Sequence, residues 1–355
     1  MVWLFSDYFV AVNGVKQGGV LSPLLFCVYL DGLLIALSKS KVGCFIGDFF
    51  TGALAYADDI VLCAPSATAL RKMLAICDKY ASDFDMAFNA DKSKCLVVLP
   101  PSRRDSRRDL VSFLSNIEFR IDGRKMEIVS SYSHLGHIIS SSEGDRLDIM
   151  KQKCHFNGQV NNMLCFFGKL PSVVKSRLFS SYCMSFYGCE LWDLTCDQLS
   201  DVCTAWRKGV RRVWDLPYMT HCYLLPLLGR CLPVLDEICK RSMNFVSTCL
   251  SHTSSLVSYV AHHSIRFALN FSPVGRNVLY CSRRYGFDVS DVLTNNSSFI
   301  SDSIYSCARA EVTDVQMHEV DLLLECILIR DGQASLPGWF SRSHVQTIVD
   351  YICTV

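Results

Sequence analysis

Two adjacent carboxylates, Asp58 and Asp59, follow Tyr56-Ala57 and are framed by Ala53-Leu54-Ala55 on one side and Ile60-Val61-Leu62-Cys63 on the other. Apolar runs joined by so short a connection read as a β-hairpin with packed flanks and a wet tip. Acids presented there can hold divalent cations, because hard ions take carboxylate oxygens. Two such ions, roughly 3.5–4 Å apart, serve phosphoryl transfer by binding the attacking and leaving oxygens. A lone Asp-Asp turn reads more simply as a solvated loop, since Asp bonds its own backbone in turns. The surrounding stretches have to decide.

Other residues could contribute. Lys16-Gln17-Gly18-Gly19 precedes Ser22-Pro23, a pairing that predicts a helix from Pro23 to about Leu37 with Ser22 as its cap. Glycines allow close approach to the backbone and Lys16 and Gln17 offer donors, as at loop-to-helix junctions that take anions. The same residues read at least as well as a flexible linker. Arg103, Arg104, Arg107 and Arg108 crowd one loop, either a solvated face or a nucleic-acid contact. Along Trp206–Trp214, helical spacing puts Trp206, Val210, Val213 and Trp214 on one face and Arg207, Lys208, Arg211 and Arg212 on the other. Those four cations could neutralise phosphates, or simply form a wet basic face.

The elements that must position these groups are those of a folded, core-rich chain: 355 residues, 50% apolar and 19% charged. A net charge of +1 means that nucleic acid would have to be engaged through local patches. Nineteen cysteines lie scattered without a CxxC pair, which fits free thiols in a reducing intracellular compartment, cytoplasmic or nuclear, better than disulfides. The spacing of Cys239, Cys249, His252 and His262 matches no zinc-ligand pattern, and His262-His263 reads as surface. Residues 19–37 are lipid-like, but Pro23 and Asp31 interrupt them, so a buried helix and no membrane partner is the expectation. Met1–Phe5 lacks the positive leader of a signal peptide.

In chain order, residues 2–12 read as strand material, and Ser66 caps a helix with Leu70, Met73, Leu74, Cys77, Tyr80, Ala81 and Phe84 at helical spacing. A turn at Phe88–Ser93 leads into a strand at 96–99, and Asp122-Gly123 predicts a hairpin between Ile117–Ile121 and Lys125–Val129. From about Glu143 the texture is helical, with loops near Asn270–Asn277 and Thr294–Ser303. The expected divisions are 1–142, 143–234 and 235–355, the last without visible chemistry.

Taken together, these stretches resemble the reverse transcriptase domain of non-LTR (LINE-type) retrotransposons. Gly14 through Pro23 looks like the family's motif B, Tyr56-Ala57-Asp58-Asp59 like motif C, Phe88-Asn89-Ala90-Asp91-Lys92-Ser93 like motif D, and Tyr132 through Gly136 like the primer-grip motif E. Tyr187–Trp192 and the Trp206–Trp214 segment resemble the family's thumb and the region after it. Order and spacing together are far more specific than any one motif.

The resemblance implies an α+β fold: a partial polymerase palm, built from the acidic hairpin and its packed helices, then a mainly helical thumb and C-terminal region. It implies RNA-templated DNA synthesis from a DNA primer and deoxynucleoside triphosphates, with Mg2+ or Mn2+ on Asp58 and Asp59. Lys92 would assist the leaving pyrophosphate, and Gln17 and Gly18 would border nucleotide and template. Tyr132, Leu135 and Gly136, with the basic set of Arg207, Lys208, Arg211 and Arg212, would meet nucleic acid. The family's motif A supplies a further metal-binding Asp, yet Asp7 is the sole acid before Gln17 and sits too close to serve. The fingers have no counterpart either. The expectation is an N-terminally truncated polymerase domain, inactive by itself, with a non-catalytic nucleic-acid-binding remnant as the competing reading.

Overall fold

A computed structural model describes residues 18–98, 117–294, 297–310, 314–334 and 342–354. Asp7, Lys16, Gln17 and the arginines at 103–108 therefore lie outside the described residues. The chain divides into two units, residues 1–132 and 133–355.

In the first unit, helix α1 (Ser22–Lys39) is followed by the short strands β1 (Phe45–Ile46) and β2 (Phe49–Phe50), then β3 (Ala53–Tyr56) and β4 (Asp59–Leu62). Helix α2 (Ala67–Asp83) starts where Ser66 predicts, its hydroxyl accepting from the Ala69 N–H at 3.2 Å. α2 buries Met73, Leu74, Cys77 and Ala81, the 3.6-residue stripe legible in the sequence. Met73 and Cys77 pack with Leu33 and Leu37 of α1, and Ala53, Ile60 and Leu62 of the β3–β4 hairpin rest against them. Full burial of Leu33, Leu37 and Met73 contributes about 1.5–3 kcal/mol each.

The other flank of α2 packs Leu74 against Cys95, Ile117, Phe119, Ile121 and Met126. There β5 (Lys94–Leu96) pairs in parallel with β8 (Glu127–Val129), Lys94 opposite Glu127. The hairpin of β6 (Arg120–Ile121) and β7 (Arg124–Lys125) turns through Asp122 and Gly123, both at positive φ, as a primed two-residue turn requires. The described strands form five two-stranded pairs rather than one sheet.

Helix α1 departs from expectation twice. Leu21, not Ser22, occupies the cap position and makes no side-chain cap bond. Nor is the helix buried: only Leu30, Leu33 and Leu37 are covered, because the hairpin and α2 meet a single side of it. Among the described residues it is the one helix long and apolar enough to cross a membrane by length and composition.

The hairpin of β9 (Ser131–His134) and β10 (His137–Ser140) carries the division between units. The second unit continues with α3 (Arg146–Phe167), α4 (Ser172–Leu178), α5 (Leu199–Val213), α6 (Leu224–Gly229) and α7 (Val234–Leu250). Then come α8 (Ser255–Arg266), α9 (Pro273–Tyr285), α10 (Val289–Leu293), α11 (Ser297–Ala310), α12 (Asp314–Arg330) and α13 (Arg342–Thr354). One continuous core runs from Ile149 through Trp206, Leu225, Ile238 and Val278 to Cys353. This differs from the expected break at 234/235, since side chains on both sides of it share that core. All nineteen cysteines are free thiols.

Candidate functional site

The acidic tip is a two-residue turn. Ala53 to Tyr56 pair with Leu62 to Asp59 in antiparallel register, leaving Ala57 and Asp58 as the connection. Ala57 has φ +53°, a conformation unusual for a residue with a Cβ and the one a hairpin's right-handed twist asks of the first turn position. Asp58 and Asp59 are both exposed. The expectation of buried flanks holds for one face only: Ala53, Ile60 and Leu62 pack on the helices, while Leu54 is 49% and Tyr56 67% exposed. The period-two alternation of a strand accounts for this, since the described residues cover a single side.

A pair of metal ions needs more than this turn supplies. No group of three or more His, Cys, Asp or Glu able to hold a metal exists among the described residues. Two neighbouring carboxylates fit part of one ion's coordination and do not fit a two-metal arrangement.

Gly18 has φ +79° and open space where a Cβ would stand, so it is an exposed turn with room above its backbone. Its neighbour Gln17 lies outside the described residues. Lys92 is exposed in a turn closed by the Asn89 side chain, which accepts from the Lys92 N–H at 3.0 Å. The Tyr132 hydroxyl reaches the Lys92 carbonyl at 3.5 Å, so the structure brings these two segments of the first unit together.

In the second unit, Leu135 (φ +48°) and Gly136 (φ +84°) form the β9–β10 turn. Glycine is favoured at 136 by its positive φ and because a Cβ there would lie 3.0 Å from the Tyr187 ring. The Tyr187 hydroxyl donates to the Leu135 carbonyl at 3.1 Å, and Lys151 Nζ to the Gly136 carbonyl at 2.9 Å.

Just behind that turn lies a cluster the sequence did not advertise. His137 Nδ1 sits 3.1 Å from Asp148 Oδ2, as an ion-pair contact rather than an aligned hydrogen bond, and its Nε2 lies 3.8 Å from Asp145 Oδ1. Fully buried Asp148 also accepts from Trp192 Nε1 at 2.8 Å and the Ile138 N–H at 2.9 Å. Asp145 and Asp148 outweigh burial and raise the His137 imidazole to about 9. Burial would raise the Asp148 carboxyl, but the contact with His137 and the hydrogen bonds from Trp192 and Ile138 prevail and hold it below its usual range. The signal was available: a His and two Asp on neighbouring elements, hidden because they meet through a turn rather than through helical or strand spacing.

The basic face of α5 is real in spacing and divided in use. Trp206, Val210, Val213 and Trp214 are buried. Arg211 is half-buried and committed to the fold, donating to the Thr220 carbonyl at 2.6 Å and lying over the Tyr218 ring. Arg207 is also half-buried and bonds the Thr204 hydroxyl at 3.2 Å. Lys208 and Arg212 are exposed, Arg212 donating to Asn161 of α3 at 2.8 Å. Two of the four expected cations are thus exposed, and only Lys208 of these makes no hydrogen bond among the described residues, so the basic face is not uniform. The cause is angular: residues 207 and 211 lie about 40° apart on the helix, turned from 208 and 212 toward neighbouring chain.

Comparison of the sequence with known proteins gives a match over the N-terminal part of the chain. A family model described as reverse transcriptase (RNA-dependent DNA polymerase) matches residues 5–157. The Pol polyprotein of the type-2 retrotransposable element R2DM of Drosophila melanogaster is 41% identical over 87 residues, 24% of this chain and 8% of that protein. A Pol polyprotein of the type-1 retrotransposable element R2 of Popillia japonica is 31% identical over 134 residues, 37% of this chain and 21% of that protein. The chain therefore spans only a small part of the length of these relatives. No solved structure matches it. Reverse transcriptases as a family use divalent metal, a nucleic-acid template and nucleotide substrates. Residues 5–157, which hold the acidic hairpin and its supporting helices, are thus similar to the reverse transcriptase domain, and within it to the Pol polyproteins of non-LTR retrotransposable elements.

Proposed function

We propose that the first unit is the part of a polymerase palm that presents the motif C carboxylates, and that the β9–β10 turn and α3–α5 grip the template–primer. The observation that carries this is the two-residue turn placing Asp58 beside Asp59 in water, on a hairpin held by Leu33, Leu37, Met73 and Cys77. Asp58 is then the principal metal ligand of the segment and Asp59 its partner. Lys92 would be the cation that stabilises charge developing on pyrophosphate. Gln17 and Gly18 border the incoming nucleotide, and Tyr132, Leu135 and Gly136 the primer. The substrates are an RNA template, a DNA primer and deoxynucleoside triphosphates. We place the chain in a reducing intracellular compartment, which suits its nineteen free thiols.

Among the described residues two acids leave this site short of a donor, so the 355-residue polypeptide by itself is expected to extend no primer. Primer extension with Mg2+ and with Mn2+ tests this. Clear incorporation that Asp58→Ala abolishes would show the site to be complete and the incompleteness wrong. The second reading is a non-catalytic nucleic-acid-binding remnant, favoured by the exposed Lys208 and Arg212 on α5. It expects salt-dependent binding of template–primer that Asp58→Ala leaves intact and Lys208→Ala with Arg212→Ala weakens.

A further inference from the structure

The C-terminal helices, silent in the sequence, carry a basic groove. Arg276, Tyr280 and Arg283 recur at i, i+4 and i+7, so they share one side of α9. With Arg284, Asn270 and Thr195 they line an open groove of about 500 Å³. Two of these arginines are fixed in place: Arg276 Nη2 lies 2.7 Å from Asp193, and Arg284 Nη2 lies 3.1 Å from Asp236. Arg283 is exposed and has no acid within ion-pair distance among the described residues. The groove therefore keeps a net positive charge.

The turn at 266–272 stands beside this groove. Arg276 Nη1 donates to the Phe271 carbonyl at 2.9 Å, and a Cβ on Gly275 would lie 2.5 Å from the Leu269 carbonyl oxygen, so turn and helix are in close backbone contact. On that turn Phe267 is 76% and Phe271 83% exposed. Arg266 beside them is exposed too. Large aromatic rings left in water next to cations suit one partner best. A duplex hides its base faces and an acidic peptide need not pair a ring with each charge, whereas a single strand presents unstacked bases together with regularly spaced phosphates.

We propose that the α9 groove and the 266–272 turn bind single-stranded nucleic acid, with phosphates against Arg276, Arg283 and Arg284 and a base stacked on Phe271. The polymer class rests on the proposed function, but the surface is distinct from the acidic hairpin and from the Lys208–Arg212 face.

Fluorescence anisotropy of the full chain with labelled oligo-U and oligo-dT, over a range of salt and with inorganic polyphosphate as competitor, tests it. Phe271→Ala should weaken binding of both oligonucleotides about tenfold. Arg283→Gln should lower the salt slope by about 0.7, the share of one phosphate contact on a single strand. Wild-type affinity and slope in both variants overturn this proposal alone, whereas no oligonucleotide binding even at low salt contradicts the proposed function as well. An Arg283→Gln effect without a Phe271→Ala effect would mark a generic polyanion site and also overturn it.

Discussion

Single residues at the turns hold the functional geometry. Ala57 sits at φ +53° with a Cβ, a conformation that costs an ordinary residue about 1–2 kcal/mol and glycine almost nothing. Ala57→Gly is thus expected to stabilise the first unit by about 1 kcal/mol, and β-branched Ala57→Val to destabilise it, as read by urea unfolding. His137 gives a second expectation with a defined sign. Its folded value is raised to about 9 from 6.5, so its ion pairs contribute fully below about pH 6.5, and that contribution is lost as pH rises through 9. Asp148, held low, contributes above the unfolded carboxyl range and loses its share as pH falls through its folded value. His137→Gln should cost about 2 kcal/mol near pH 6, where it strands a buried carboxylate, and much less near pH 9.5. Thermal melts across that range check it; an equal loss at both pH values would contradict the role of the charge.

At the scale of elements, spacing told where helices lie better than which of their polar groups are free. The α5 pattern was legible because hydrophobic periodicity is local, but the commitment of Arg211 to Thr220 depends on chain folding back over the helix. Arg211→Ala is accordingly expected to cost about 1–2 kcal/mol of stability, while Lys208→Ala stays within about 0.5 kcal/mol and changes only nucleic-acid affinity. Denaturant midpoints and binding curves of the two variants separate these effects. The Ser-Pro start signal shows the limit of local rules. At Ser22-Pro23 the helix begins one residue early with Leu21 at the cap position, whereas at Ser272-Pro273, read as loop, the Ser272 hydroxyl accepts from the Gly275 N–H at 2.9 Å and α9 begins. A cap forms only where tertiary packing lets the backbone leave the helix at that residue.

At the scale of the whole molecule, the acidic hairpin and the mixed α+β character were readable because both rest on neighbours in sequence. The continuity of the second unit's core was not, since the contacts joining Ile149 to Cys353 are remote in sequence. Nor was the acid cluster around His137, assembled from residues up to Trp192. Because Trp206, Leu225, Ile238 and Val278 share one core, a chain ending at residue 234 is expected to lose cooperative unfolding rather than yield an independent domain. Near-ultraviolet circular dichroism of that fragment checks it, and a sharp melting transition would restore the three-part division.

Asp58 and Asp59 are proposed to form a metal-binding tip that is only part of a polymerase centre. Titration of Mn2+ into the 355-residue chain, followed by electron paramagnetic resonance, tests it most directly. At most one bound ion per chain is expected, lost in Asp58→Ala and in Asp59→Ala. Two ions per chain, or binding that both variants retain, would contradict it.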